Sequence, residues 1–252
     1  MIEITVKHDL WKLKPWLSGI QRRQIPYGTM LALNRTATRV QEAEVNEMRG
    51  VFDRPTPYTL SALRIRKATK ANLTAYVEPK NMATKAISAD KYLAPQILGG
   101  SRGQKRFERA LIAVGAMPQG YVAVPGSGAR FDAYGNMSRG QIVQILAYFR
   151  AFPEVGYRAN MSAAGRGRLA RGSRRNMGYS YFVAGPGGSL PPGIWQRFAF
   201  SEGHAIRPVL IFVKSTMYRK RLDFDVVAEK TVEKYFEGDF RLAMMQAAAT
   251  AR

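Results

Sequence analysis

The chain has 252 residues, 46% of them hydrophobic, which is enough to bury the core of one large domain or of two smaller ones. Thirty-nine Lys and Arg against 18 Asp and Glu give a net charge of +21, which attracts polyanions such as nucleic acid, an anionic membrane or an acidic protein. The lack of cysteine excludes disulfides, thiol nucleophiles and cysteine-ligated metals, and neither a secretory signal nor an apolar run long enough for a membrane span is predicted.

The first half of the chain predicts a strand, a long helix and a hairpin. Apolar residues alternate over residues 1–6, the pattern of a half-buried strand. Apolar residues three and four apart then predict a helix from Pro26 to Gly50, with the proline in its first turn. After a proline-containing break, residues 60–68 and 71–79 predict two strands joined by a short turn.

The second half predicts three helices and four strands around a basic segment. A helix over 106–117, a strand over 121–124 and a helix over 139–152 that Ser138 caps come first. An antiparallel meander is predicted for residues 179–184, 194–200 and 206–213. Because proline cannot donate a ladder hydrogen bond, we expect either that the last strand lies at an edge of the sheet or that Pro208 lies near the beginning of that strand. Asp225 is expected to cap a final helix that ends near Ala249.

These elements predict the α+β class, with a long N-terminal helix packed on an antiparallel sheet and a helix at the C-terminus. We expect a single α+β domain over residues 1–252. An enlarged insertion over 117–205 carries a basic loop, which we call the arginine arm and define as residues 156–178.

The arginine arm is the most distinctive segment. No acidic residue occurs from Val155 to Ser201, and glycine, serine and alanine separate the arginines of the arm. This composition predicts a segment that stays mobile until a partner orders it. Arginine favours forked hydrogen bonds to phosphate or carboxylate, so we expect DNA or an acidic protein to be bound by six residues: Arg158, Arg166, Arg168, Arg171, Arg174 and Arg175. A merely solvated charge run remains the alternative, and Tyr157, Tyr179 and Tyr181 could stack on bases or belong to a strand.

No catalytic or metal site is predicted. His8 and His204 lack a metal-binding spacing, and the carboxylates Asp53, Asp90, Asp132 and Glu154 lie near loops without a common pattern. The glycine clusters lack the features of a phosphate loop or of a nucleophile elbow. We therefore expect neither enzyme activity nor a cofactor.

The last helix carries an acidic stripe. Glu229, Glu233 and Glu237 are four residues apart, and Lys230 and Lys234 form the neighbouring stripe. The stripe is either a solvated face or a surface that docks on a basic patch of another copy of the chain.

The stretch from Pro26 to Ala113 resembles the tail-completion and minor tail proteins of long-tailed bacteriophages, including the minor tail protein Z group. The likeness consists of a long helix, a basic hairpin, an alanine–proline segment and a second helix start. Leu98 stands where an acidic residue is usual, and the matching positions are Tyr92, Ala94, Pro95, Ile97, Gly99, Phe107, Ala110 and Leu111. The resemblance implies a subunit of a ring, commonly six-fold, at the head-proximal end of the tail.

Three functions remain open at this point. The first is a structural virion protein of the tail or of the head–tail neck, assembled in the host cytoplasm. Its partners would be other copies of itself, neighbouring terminator and connector proteins and packaged DNA, with no membrane partner. The second is a freestanding protein that binds nucleic acid without sequence preference, and the third is a DNA-processing enzyme.

Overall fold

The computed structural model describes residues 2–5, 19–82, 87–152, 159–201, 203–214 and 217–250. It confirms the α+β class, with a long N-terminal helix, antiparallel sheets and a C-terminal helix. The chain forms two compact units: Met1–Gly99 together with Tyr218–Arg252, and Gly100–Met217. The second unit is thus one continuous segment inserted into the first, and it contains the whole of the expected insertion over 117–205. It begins before that insertion because the helix Arg106–Ala113 contributes Leu111 to its core.

The first unit combines a three-stranded antiparallel sheet with helices. The strands are ordered β1-β3-β2. In chain order its elements are β1 (Ile2–Thr5), α1 (Gly19–Val51), α2 (Pro57–Leu60), β2 (Leu63–Arg66), β3 (Thr74–Pro79), α3 (Ala89–Ile97) and α7 (Phe224–Ala249).

The period-two pattern of the hairpin separates a core face from a polar face. Ile65 pairs with Val77, and their face of the sheet packs against α1. On the other face Arg64 pairs with Glu78 across the strands and lies within 2.7 Å of it. The predicted hairpin and the packing of the long helix on a sheet are therefore confirmed.

Helix α1 begins earlier than the apolar spacing indicated. Its first residue is Gly19, so Pro26 lies inside the helix and not in its first turn. A proline has no backbone N–H, and α1 therefore lacks the hydrogen bond that residue 26 would donate to residue 22. The prediction was wrong because it used the proline as a start signal, whereas helical backbone continues on both sides of it.

The interface of α1 and α7 contains buried polar groups. Asp239 is 1% exposed, and Arg39 donates from Nε and Nη2 to its carboxylate at 2.9–3.2 Å, while Thr36 donates from its hydroxyl at 3.1 Å. Capping of α7 differs from the prediction, because Asp223 and not Asp225 occupies the N-cap position.

Glu44 of α1 is also fully buried, one helical turn from Val40 and from Met48, which belong to the apolar core. Among the described residues neither of its carboxylate oxygens has a hydrogen-bond partner. Burial, and then the negative charges of Glu47 and Asp225, raise the pKa of Glu44 to about 8.

The second unit places helices on one face of a four-stranded antiparallel sheet. The strand order is β5-β10-β9-β8, so the predicted meander of the last three strands is confirmed and β5 extends it. In chain order the elements are β4 (Gly100–Ser101), α4 (Arg106–Ala113), β5 (Val122–Pro125), α5 (Arg139–Tyr148), α6 (Ala163–Arg171), β6 (Gly172–Ser173), β7 (Asn176–Met177), β8 (Ser180–Ala184), β9 (Gly193–Phe200), β10 (Gly203–Val213) and, at the boundary, β11 (Met217–Tyr218).

Pro208 lies in the middle of an inner strand, so neither predicted position, at an edge of the sheet or near the beginning of the strand, is found. Strand β10 pairs with β9 along most of its length, and the register shifts between Pro208 and Leu210. Pairing with β5 begins only at Leu210. The proline is thus tolerated at a bulge, where the absent N–H removes no regular ladder bond.

A buried ion pair connects α4 to β5. Glu108 is fully buried and accepts hydrogen bonds from both terminal nitrogens of Arg102, at 2.6 and 2.9 Å. Its carboxylate also accepts from the backbone N–H of Lys105, closing a capping box, and from that of Ala123 at 2.8 Å. Burial would raise the pKa of Glu108, but the bonds from Arg102, Ala123 and Lys105 outweigh it and hold the pKa below its ordinary value.

Candidate anion-binding surface

The arginine arm has regular structure over most of its length, so the prediction of a mobile segment was wrong for residues 159–178. Helix α6 begins after Ser162, whose hydroxyl accepts a hydrogen bond from the backbone N–H of Gly165. The helix ends at Gly172, and a short antiparallel hairpin of β6 and β7 follows. Arg158 and Tyr157 lie outside the described residues.

Two glycines of the arm allow a close backbone approach. Gly172 has φ of +73°, in the left-handed region that glycine tolerates. A Cβ at Gly178 would collide with the carbonyl oxygen of Ala170, where the returning chain passes the end of α6. The backbone N–H of Tyr179 then donates to the carbonyl of Leu169 at 3.0 Å. These contacts tie both ends of the hairpin to the body of the unit.

The helix distributes its arginines by face. Leu169 packs against the core of the second unit, and on the same side the guanidinium of Arg166 lies 5.9 Å from the ring centre of Tyr148. Arg168 and Arg171 are three residues apart, so they share another face, and both are exposed.

Two further arginines occupy the turn of the hairpin. Arg174 and Arg175 stand between the paired residues Ser173 and Asn176, and both are exposed. A fixed helix and a fixed turn therefore present the five described arginines of the arm. We call this set the arginine surface: Arg166, Arg168, Arg171, Arg174 and Arg175.

The charge of this surface is not neutralised within the described part of the chain. No carboxylate there forms an ion pair with any of its five arginines. The sequence of residues 100–217 contains sixteen Lys and Arg but only four Asp and Glu, of which Glu108 already binds Arg102. The surface thus has the electrostatic character of a site for an anionic partner.

The tyrosines that flank the arm belong to the core. Tyr179 and Tyr181 are 8% and 4% exposed, and both hydroxyls donate to Oε1 of Gln144, at 2.9 and 3.1 Å. Burial, more than any other cause, raises the pKa of Tyr181 above its ordinary value. These two rings are therefore not available to stack on bases. The strand interpretation is correct for Tyr181, whereas Tyr179 immediately precedes β8.

An aromatic cluster lies beneath the surface. Tyr148, Tyr181, Tyr179 and Phe198 form a chain of ring contacts with centroid separations of 5.3–5.6 Å. The guanidinium of Arg207 lies 4.9 Å from the ring centre of Phe198, at the end of the chain opposite Tyr148.

Arg207 is a residue that the sequence analysis did not single out. Its Nε donates to Oε1 of the fully buried Gln196 at 3.0 Å, and Gln196 is its neighbour across the β9–β10 ladder. The alternation of Gln196, Arg197 and Phe198 along β9 was a usable signal, because it places the glutamine and the aromatic ring on one face.

No group of three or more histidine and acidic residues within the described ranges could hold a metal ion. Asp132 accepts hydrogen bonds from the backbone N–H groups of Tyr134 and Asn136, so it stabilises a turn. His204 is exposed at the start of β10. His8 and Glu154 lie outside the described residues.

The acidic stripe lies on α7, in the first unit. Glu229, Glu233 and Glu237 are all exposed, and only the last has an ion pair among the described residues, with Arg241 at 3.1 Å. Lys230 and Lys234 are exposed beside them. The stripe is thus accessible to a partner, whereas the opposite side of the helix contributes Ala228 and Ala243 to the buried residues.

No protein-family model, curated protein or solved structure matches this chain. Within the described ranges, no helix combines the length and apolar character needed to cross a bilayer.

Proposed function

We propose that this protein is a non-enzymatic structural component of a long-tailed bacteriophage virion, in the tail or in the head–tail neck. It assembles with copies of itself into a ring, and the arginine surface contacts packaged DNA or an acidic neighbouring ring. The observation that carries this proposal is the fixed set of five arginines, which lack carboxylate partners in the described structure.

The placement in a phage tail rests on the resemblance of residues 26–113 to tail-completion and minor tail proteins. Its matched residues fall on regular elements, with Tyr92, Ala94 and Pro95 in α3 and Phe107, Ala110 and Leu111 in α4. The expected partners are other copies of the chain and neighbouring terminator and connector proteins. The expected location is the virion, after assembly in the host cytoplasm.

The proposal is tested by the salt dependence of DNA binding. Each arginine that neutralises a phosphate of duplex DNA steepens the fall of log affinity against log salt by about 0.9. If all five arginines bind phosphate, their replacement by serine reduces this slope by about 4.5 and the affinity at about 0.15 M salt by three to four orders of magnitude. The measurement is fluorescence anisotropy on two duplexes of unrelated sequence, because backbone contacts predict equal losses on both.

A control variant removes the same charge from exposed positions of the first unit. It replaces five lysines by serine: Lys67, Lys80, Lys91, Lys230 and Lys234. We expect a much smaller change in slope than for the five arginines. Equal losses in the two variants would show that net charge alone attracts DNA and would contradict a defined binding surface.

Mass measurement separates the structural role from that of a freestanding nucleic-acid-binding protein. A virion component is expected to form closed oligomers or to need its neighbours for solubility, whereas the freestanding protein is expected to be a soluble monomer or dimer. A metal-dependent DNA-nicking assay tests the third class. Nicking that Asp132→Ala abolishes would refute the non-enzymatic assignment.

A further inference from the structure

We infer that Arg207 is a pre-oriented phosphate-binding residue and that, together with the arginine surface, it binds the backbone of duplex DNA. This inference rests on the proposed function and specifies the chemistry of its ligand. It adds a residue from β10, more than thirty positions away in the sequence, to a site otherwise formed by the arginine arm.

Arg207 differs from an ordinary surface arginine because two contacts fix its guanidinium. Its Nε donates to Oε1 of Gln196 at 3.0 Å, and its guanidinium carbon lies 4.9 Å from the ring centre of Phe198. The side chain of Gln196 has little freedom to change rotamer and release Arg207, since it is fully buried and its amide also approaches the hydroxyl of Tyr181 at 3.5 Å. A ligand therefore meets the two terminal nitrogens, which form the fork that suits a phosphate.

The aromatic cluster connects this arginine to the arm. Contacts of 4.9–5.9 Å run from Arg207 through Phe198, Tyr179, Tyr181 and Tyr148 to Arg166. Tyr179 also follows the arm directly and binds its helix through the backbone. Arg207 and Arg166 thus lie at the two ends of one cluster of packed rings, which limits the range of their separation before any ligand arrives. Pre-orientation of this kind lowers the entropic cost of binding.

The surroundings favour a nucleic acid over an acidic protein. Protein interfaces depend on buried aromatic and aliphatic anchors, whereas interfaces with DNA are polar and strongly positive. Between Ser162 and Asn176 the only large apolar side chain is Leu169, and it packs inward. The exposed residues there are arginine, glycine, alanine, serine and asparagine. Among the described residues of the arm, the one exposed large apolar side chain is Met177, 57% exposed at the end of β7. The surface thus offers dense positive charge for a phosphate backbone and a single unbranched apolar side chain, without the aromatic anchors on which protein interfaces depend.

The experiment compares two arginines of the same sheet. Arg207→Ser removes the fixed guanidinium, and Arg197→Ser is the matched control. Arg197 is exposed and lies 4.7 Å from the ring of Phe182, and as the neighbour of Gln196 and Phe198 it points to the opposite face of the sheet. A third variant, Phe198→Leu, keeps the charge of Arg207 but removes the ring that orients it.

Anisotropy titrations with duplex DNA, repeated at several salt concentrations, give the result. Arg207→Ser is expected to lower the affinity about fivefold at 0.15 M salt and the slope by about 0.9, the loss of one phosphate contact. Arg197→Ser should change both much less. Phe198→Leu should lower the affinity roughly twofold with little change of slope, because the charge is retained and only its orientation is lost. Circular dichroism confirms that each variant is folded.

Three outcomes would overturn the inference. Equal losses for Arg207→Ser and Arg197→Ser would show that position is irrelevant. Unchanged binding for Arg207→Ser, with lost binding for the five-arginine variant, would refute the role of Arg207 and leave the proposed function intact. The third outcome is that polyglutamate displaces the DNA at equal charge concentration and that Arg207→Ser weakens only the binding of polyglutamate. The guanidinium of Arg207 would then bind carboxylates of a protein partner and not phosphates.

Discussion

Replacement of Glu44 by glutamine is expected to stabilise the protein at neutral and alkaline pH. The carboxyl is fully buried in α1 and has no hydrogen-bond partner among the described residues. Its pKa rises from an ordinary value of 4.5 to about 8, chiefly through burial. Between these two values the folded protein holds one proton that the unfolded chain has already released. Unfolding therefore releases a proton, and a rise in pH favours the unfolded state.

The size of the effect follows from the two pKa values. The free energy of unfolding falls by up to about 1.4 kcal/mol for each pH unit across this window and is level on either side of it. At pH 7 the accumulated cost is at most about 3.4 kcal/mol relative to acidic solution. Glutamine has a similar shape and does not titrate, so Glu44→Gln removes the pH-dependent cost but still buries an amide.

The assay is chemical denaturation of the wild type and of Glu44→Gln at several pH values from about 5 to 9. The control is Glu42→Gln, which neutralises an exposed carboxylate on the same helix. We expect the stability of the wild type and of the control to fall with pH through this range, and that of Glu44→Gln to fall much less. A variant that kept the full wild-type slope would show that Glu44 is ionised and partnered in the folded protein, which would refute the reasoning.

Three further predictions concern other parts of the chain. Glu108→Ala removes the carboxylate partner of the partly buried Arg102 and should cost about 3–5 kcal/mol in denaturation experiments, whereas Asp53→Asn, which breaks an exposed pair, should cost less than about 1 kcal/mol. Gly178→Ala introduces a collision with the carbonyl of Ala170, so faster amide exchange and proteolysis are expected in the arm; wild-type protection there would refute the close approach. Charge reversal of the acidic stripe should weaken self-association in sedimentation experiments with little loss of stability, and normal assembly would contradict its docking role; the substitutions are Glu229→Lys, Glu233→Lys and Glu237→Lys.

The sequence predicted the elements whose pattern is local. Strand alternation in the hairpin 60–79 and helical spacing in α5 and α7 follow from which side chains face the core, and these elements are confirmed. Local patterns do not show which strands pair with each other. The sequence did not indicate that β5 would join the meander beside β10, because the strands are more than eighty residues apart. Pro208 was misplaced for the same reason, since a bulge inside a sheet depends on both neighbouring strands.

The anion-binding surface was predicted in its chemistry but not in its shape. Glycine has two opposite effects: it makes an unstructured segment more flexible, and it permits two backbones to pack closely. Composition cannot distinguish the two effects, and the prediction assumed flexibility for the arm. In the structure Gly172 and Gly178 permit close backbone packing instead, and the only local signals for an ordered arm were Ser162 as a helix cap and Leu169 as an inward anchor.

Order in the arm changes the energetics of its function. A mobile segment must lose conformational entropy in order to bind, and each long arginine side chain adds to that cost. On a folded helix and hairpin the backbone cost is met during folding, so more of each phosphate contact contributes to affinity. The same rigidity restricts the partner, because Arg168 and Arg171 lie on one helix face and Arg174 and Arg175 on one turn. A ligand must therefore offer its negative charges in a matching spatial arrangement. A regular polyanion such as duplex DNA does so at every position along its length, and this is the physical reason to expect binding without sequence preference.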